Sequence, residues 1–194
     1  MTKLESFEHM EIDLKNIKRL AERNEEDNWK FRSFLKNLDM SIEELDSIVH
    51  AIYKHVASEI DCTKCANCCT EVKPVLGHKD IEKFSKGLGI SKQSFITQYL
   101  LKGEVKGEWF FNKLPCPFLK DNLCTNYHNR PKDCVSYPHL QKKEFVFRLW
   151  GVIENYAVCP IVFNVYERLK EELWRNDSYY IEMIFFRIKG NMTC

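Results

Sequence analysis

The chain has 194 residues and a mass of 23.1 kDa, with 44% hydrophobic and 29% charged residues. That suits one domain, or one domain with an appended helical segment, and it is enough to bury a core without covalent staples. Its 29 basic and 28 acidic residues leave a formal net charge of +1, so there is no overall electrostatic footprint for nucleic acid.

Thirteen Phe, eight Tyr and four Trp are read as an aromatic core rather than a base-stacking platform. The N-terminal residues Met1 to Glu8 lack the apolar stretch of a secretory signal. No run approaches the roughly 18 consecutive apolar residues of a spanning helix. The chain is therefore expected in the cytoplasm, away from membranes, where thiols stay reduced and clustered cysteines more often bind metals than form disulfides.

In chain order, the first 60 residues contain no cysteine. Ile12, Ile17, Leu20, Trp29, Phe31, Phe34 and Leu35 recur there at loosely helical spacing. Asn24 to Asn28 reads as an exposed turn or a solvated face. Ser41-Ile42-Glu43-Glu44 is a capping-box sequence. It predicts a helix over about 42–60, with Ile42, Leu45, Ile48, Val49, Ile52, Val56 and Ile60 as its apolar stripe. Lys79 to Lys86 predicts a short helix ending at Gly87-Leu88-Gly89, and Ser91 starts another that runs to about Leu101. Gly107 to Phe111 reads as extended chain, Asn122-Leu123-Cys124 as a turn, and Arg130-Pro131 as the start of a helical turn carrying Cys134. Phe145 to Trp150 is a plausible strand broken at Gly151. Helix returns from Pro160 to about Trp174, and Tyr179 to Ile188 fits either strand or helix. The expected fold is mainly α with minor β, a helical frame carrying cysteine-bearing loops around a metal centre. Residues 1–60 form a helical segment packed on the core, 61–165 the cysteine-cluster domain, and 166–194 a helical or extended tail.

The chemistry lies in the thiols. Cys62, Cys65, Cys68 and Cys69 fall within eight residues, and Cys116, Cys124, Cys134 and Cys159 follow; Cys194 stands apart at the C-terminus. Thiolates at two-residue gaps can turn inward around one ion or cluster. The bacterial ferredoxin pattern uses such gaps for three ligands and a Cys-Pro for a remote fourth, and Cys116-Pro117 and Cys159-Pro160 both offer that pair. A lone Cys-x-x-Cys would equally suit half of a zinc site. Adjacent residues of an extended chain point to opposite sides, so Cys68 and Cys69 are expected to serve two centres, or as one ligand and one neighbouring thiol. Eight thiolates would complete two four-sulfur sites; one cluster with spare thiols is the alternative. A set of buried small hydrophobes and a disulfide framework are the bland readings. His128 and His139 flank the later cysteines and could replace a thiol, although ordinary histidines would look the same. Arg130, Lys64 and Lys132 could offset thiolate charge or be plain surface charges. The chain has no glycine-rich phosphate loop and no nucleophile elbow.

Taken together, Cys62-x-x-Cys65-x-x-Cys68-Cys69, Pro115-Cys116-Pro117-Phe118-Leu119, Cys124-x-x-Tyr127, Arg130-Pro131-x-x-Cys134-x-x-Tyr137-Pro138 and Cys159-Pro160 resemble the CxxCxxCC cysteine-cluster family, the YkgJ-like zinc- or iron-chelating group. The resemblance covers about residues 60 to 162. It implies metal binding through Cys62, Cys65, Cys68, Cys69, Cys116, Cys124, Cys134 and Cys159. An iron–sulfur cluster of the 4Fe-4S kind is the favoured occupant and zinc the alternative. One branch of the family, the flagellin lysine N-methylases, is enzymatic, but no methyl-donor site is recognisable here. A redox or modifying enzyme, with a redox or protein partner not identified by the sequence, and a zinc-stabilised protein-interaction module remain open as roles for the centre.

Overall fold

Residues 10–175 are described by the computed structural model, in which helices predominate and strands are short. In chain order the first elements are α1 (Leu14–Arg23), α2 (Glu25–Lys36), α3 (Ile42–Glu59), α4 (Cys62–Cys65), α5 (Asn67–Glu71), β1 (Val75–Leu76), α6 (His78–Gly87) and α7 (Lys92–Tyr99). Then come β2 (Leu100–Lys102), β3 (Trp109–Phe111), β4 (Leu119–Lys120), β5 (Leu123–Cys124), α8 (Lys132–Ser136), α9 (Leu149–Tyr156) and α10 (Pro160–Leu173). Short 3-10 turns at Tyr127–Asn129 and Phe145–Arg148 precede α8 and α9. The chain divides into two compact units, one made of Met1–Ile60 with Leu140–Cys194, the other of Asp61–His139. The segment Tyr179 to Ile188 lies outside the described residues.

The first unit is helical. The Ser41 hydroxyl accepts the Glu44 amide hydrogen at 3.2 Å and starts α3, as its capping sequence predicts. Leu45, Val49, Ile52 and Val56 are buried along one face, while Ile42, at the cap end of the stripe, is exposed. Helix α10 packs against α1, α3 and α9 and is buried around most of its circumference, as befits a central helix. Pro160 occupies its first turn, where a missing N–H costs nothing. Between α1 and α2 the chain breaks at Asn24, but residues 25–28 are helical and Asn28 is buried, so the polar run is neither a long turn nor a wholly solvated face.

Phe145 to Trp150 is not a strand. It forms a 3-10 turn that leads directly into α9. The buried residues are Phe145, Leu149, Val152 and Tyr156, a helical period, whereas Phe147 and Trp150 lie exposed. Asp46 of α3 fixes the start: its carboxylate, itself buried, accepts the amide hydrogens of Glu144 at 2.6 Å and Phe145 at 2.9 Å. A carboxylate 98 residues away in sequence thus caps the turn, which no local alternation could announce.

Lys170 on α10 has no solvent exposure and donates to Glu167 at 2.5 Å, with the Tyr156 and Tyr166 rings 5.2 and 5.4 Å from its nitrogen. Burial pushes its pKa below the usual lysine value despite that carboxylate. A lysine that binds its proton more weakly when folded makes the fold gain stability as pH rises between the folded and unfolded pKa values. Lys170→Met is expected to flatten the alkaline rise, read from thermal melts of both proteins at stepped pH. Asp46→Ala is expected to cost about 2 kcal/mol by urea unfolding, since two amide hydrogens lose a charged acceptor.

The second unit carries an antiparallel sheet in the order β1-β3-β2, with Val75 opposite Phe110 and Leu101 also opposite Phe110 from the other side. A separate hairpin pairs Leu119 with Cys124 and Lys120 with Leu123. Its two-residue turn, Asp121-Asn122, has φ of 49° and 62°. Two left-handed residues make this the type I′ turn that matches hairpin twist, and Asp and Asn are among the residues that tolerate it. The unit's core is Leu76, Ile81, Phe84, Phe95, Leu100, Phe111 and Phe118. Phe118 lies at its centre, 4.7 Å from the Phe84 ring, 4.9 Å from Tyr99 and 5.5 Å from Phe111, at tilted or edge angles. Much of this unit's aromatic content is therefore core.

Candidate metal centre

Seven cysteines belong to the second unit, Cys62, Cys65, Cys68, Cys69, Cys116, Cys124 and Cys134, and all are free thiols. Cys159 belongs to the first unit, where it is buried at the N-cap of α10.

The CxxCxxCC segment is two short helices joined by a left-handed residue. Asp61 caps α4 by accepting the Thr63 amide and hydroxyl at 2.9 and 2.6 Å. Ala66, with φ of 49°, reverses the chain into α5. Cys68 and Cys69 are thus helical neighbours, not alternating residues of extended chain, and about 3.6 residues per turn sets their side chains roughly 100° apart. Their thiols still meet: a hydrogen bond from Cys68 lowers the Cys69 pKa to about 7, with the Arg130 charge assisting and burial opposing.

The later cysteines are brought to Cys69 through the backbone. The Cys116 amide donates to the Cys69 carbonyl at 2.7 Å, and the Cys116 carbonyl accepts from Leu119 at 3.0 Å. Leu119 pairs with Cys124 across the hairpin. Cys116 and Cys124 both pack on the phenylalanine core. Cys134 rides on α8, which is pinned twice. Asp80 accepts the Lys132 amide hydrogen at 2.8 Å, and Asp133 accepts that of Val75 at 3.0 Å.

Burial pushes the Cys116 thiol up to about 11 and Cys134 to about 12, and it raises Cys124 too. The negative charge of Cys69 adds to all three shifts. Cys124 also raises Cys116, and both act on Cys134. Cys62 is raised first by burial and then by the charges of Cys65 and Asp61. Arg130 opposes the rise at Cys62 and Cys124. Its guanidinium carbon stands 3.5 Å over the Tyr127 ring, and its Nε donates to the Tyr127 carbonyl at 3.0 Å. Of the three cations flanking the thiols in sequence, Arg130 is the one that acts on several cysteines. Lys64 instead makes an exposed ion pair with Asp61 at 3.9 Å.

His139 contacts the Ser136 hydroxyl at 2.9 Å and Asp133 at 3.3 Å, and His128 is exposed. Asp80 and Asp133 were not legible as site residues, because a carboxylate that holds a backbone amide leaves no spacing signal. Asn126 is a third such residue: buried, it donates to the Phe84 carbonyl at 2.9 Å and accepts from Asn129 at 2.8 Å. Gly87 makes room for this pair, since a Cβ there would stand 2.2 Å from the Asn129 amide nitrogen.

Among the described residues, no three His, Cys, Asp or Glu side chains converge closely enough to hold a metal ion as they stand. The donor chemistry is nonetheless that of a soft ion or a cluster: cysteine thiols, with a nearby guanidinium to offset thiolate charge.

A cysteine-rich unit on an aromatic core, with helical turns and a tight hairpin presenting its thiols, is the class these features define. Residues 61–150 match the family model CxxCxxCC, described as "Putative zinc- or iron-chelating domain". Over those residues the chain is similar to this zinc- or iron-chelating family; Cys159 lies beyond the matched segment. No curated protein and no solved structure matches the chain. Among the described residues, no helix is long and apolar enough to cross a membrane.

Asp133→Ala is expected to destabilise the second unit by about 1–3 kcal/mol, because the Val75 amide loses its acceptor. Urea unfolding of the full chain measures this.

Proposed function

We propose that this chain is a cytosolic metal-binding protein whose cysteines hold an iron–sulfur cluster, with zinc as the alternative occupant. The observation that carries the reading is the backbone registration of Cys116 with Cys69, and of Cys124 with Leu119, in one unit that also bears Cys134. Cys62, Cys65 and Cys68 supply further thiols in the same unit, and Cys159 is the eighth candidate ligand. A bound iron–sulfur cluster would supply one-electron transfer, whereas zinc would supply a redox-inert cross-link.

The chain's own residues do the rest. Burial of Cys116, Cys124 and Cys134 keeps their thiols protonated when no metal is bound, so loading must release protons. Ligand bonds of about 2.3 Å to zinc also require the thiols to be drawn inward. Arg130 offsets part of the charge that then accumulates, and the Cys68 hydrogen bond to Cys69 adjusts that sulfur's electron density.

A protein-interaction module is the second reading. Leu114, Leu123, Tyr127 and Val135 are exposed, and each lies within three residues of a cysteine. A closed zinc site would fix these side chains as a contact surface.

Anaerobic purification followed by elemental analysis and a visible spectrum separates the readings. Iron with acid-labile sulfide and a broad visible absorbance that bleaches on reduction is the expected result. Colourless protein with stoichiometric zinc would move the role to the interaction module, and folded protein without metal would sink both.

A further inference from the structure

One face of the first unit carries large aromatic side chains into solvent. Phe147 and Trp150 are 70% and 58% exposed on successive turns at the start of α9, although Leu149 and Val152 beside them are buried. Gly151 lies one turn beyond Phe147 on the same side, and a Cβ there would meet nothing within 4 Å. Trp29 of α2 extends the face: its ring stands 5.0 Å from that of Trp150, and the Arg32 guanidinium lies 5.6 Å from it. Single exposed apolar residues need no explanation, but a contiguous set does. Aromatic rings with an arginine are also the composition of an energetically strong contact. The buried Nε of Arg32 has no acceptor among the described residues.

The chain itself supplies an occupant. Its last described residues leave α10 against α2: the Trp174 ring stacks on Phe31 at 5.5 Å, and Arg175 feels the charge of Asp27. Trp29 and Phe31 are two residues apart, hence roughly 200° apart around α2. Nineteen residues follow Arg175, and of the ten at 179–188 all but Glu182 and Arg187 are aliphatic, aromatic or Met. Extended chain covers about 3.3–3.6 Å per residue, so residues 176–178 span about 10 Å, the diameter of a helix. The apolar stretch therefore begins within reach of the far flank of α2. Glu182 brings the acceptor that Arg32 lacks.

We propose that residues 179–188 dock within the same chain on the face formed by Trp29, Phe147, Trp150 and Gly151, with the Glu182 carboxylate on Arg32. Tethering favours this occupant over a second copy, because a short linker holds the segment at high effective concentration beside the face. The bare Gly151 lets the segment approach the α9 backbone closely between the two exposed rings. The docking involves no cysteine and stands independently of the metal-binding reading.

Hydroxyl-radical footprinting of the full chain, read by peptide mass spectrometry, reports side-chain exposure directly. Phe147 and Trp150 are expected to oxidise severalfold more slowly in native than in urea-unfolded protein. Ile184→Asp combined with Phe185→Asp, in the full chain, should restore their oxidation while circular dichroism shows the helices retained. Arg32→Glu should weaken the protection, and adding Glu182→Arg should bring it back. Native wild-type protein in which both rings oxidise nearly as fast as in the unfolded chain would overturn the docking, and that comparison needs no variant. Protection that persists in the folded aspartate variant would assign the cover to another segment. Protection that falls away on dilution, as light scattering reports dimer giving way to monomer, would assign it to a second copy. Either result overturns the proposal, and failure of the second charge reversal to restore protection overturns the placement of Glu182 on Arg32.

Discussion

The packing of Phe118 into the aromatic core is the constraint on which the thiol-bearing unit depends. Cysteine segments that must curl around a centre cannot be long regular elements, so they contribute little packing of their own. Here Phe118 follows Cys116 by two residues and seats among Phe84, Tyr99 and Phe111. The stretch from Cys116 to Cys124 is thereby tied to a dense apolar cluster, and the hairpin that ends in Cys124 inherits that position. The Cys116–Cys69 backbone bond then carries the same registration to the CxxCxxCC segment.

Gathering thiols carries an electrostatic cost, since each ionised sulfur opposes the next. The unit meets it in two ways. Burial holds Cys116, Cys124 and Cys134 protonated, so the charges do not accumulate before a cation arrives. Arg130, stacked on Tyr127 and bonded to its carbonyl, brings a fixed positive charge to Cys62, Cys69 and Cys124. Cys69 is shifted toward ionisation, and its partner in that shift is the adjacent Cys68. The doubled cysteine of the motif is therefore a donor–acceptor pair of thiols.

Carboxylates that bind backbone amides recur in both units. Asp46 caps the turn before α9, while Asp80 and Asp133 hold α8. All three act over more than 50 residues of sequence. Such bonds set where a helix begins without any local signature, which is why Phe145 to Trp150 reads as a strand in one dimension. The alternation Phe145, Phe147, Leu149 is real, but Asp46 starts a helical turn there, and burial then selects Phe145, Leu149 and Val152.

The sequence by itself determined the features whose causes are local. These are the capped start of α3 at Ser41, the short helices α6 and α7, the central helix from Pro160, and a thiol inventory whose likeness to the chelating family the family model matches over residues 61–150. Only the tertiary structure decided which distant segments meet the CxxCxxCC stretch. The spacing groups Cys62, Cys65 and Cys68 in line; the structure adds a backbone bond from Cys116 to Cys69 and a hairpin pairing of Leu119 with Cys124. Residue spacing records what a chain can bring together within a turn or two. How distant segments meet depends on the core and the backbone bonds that hold them in place.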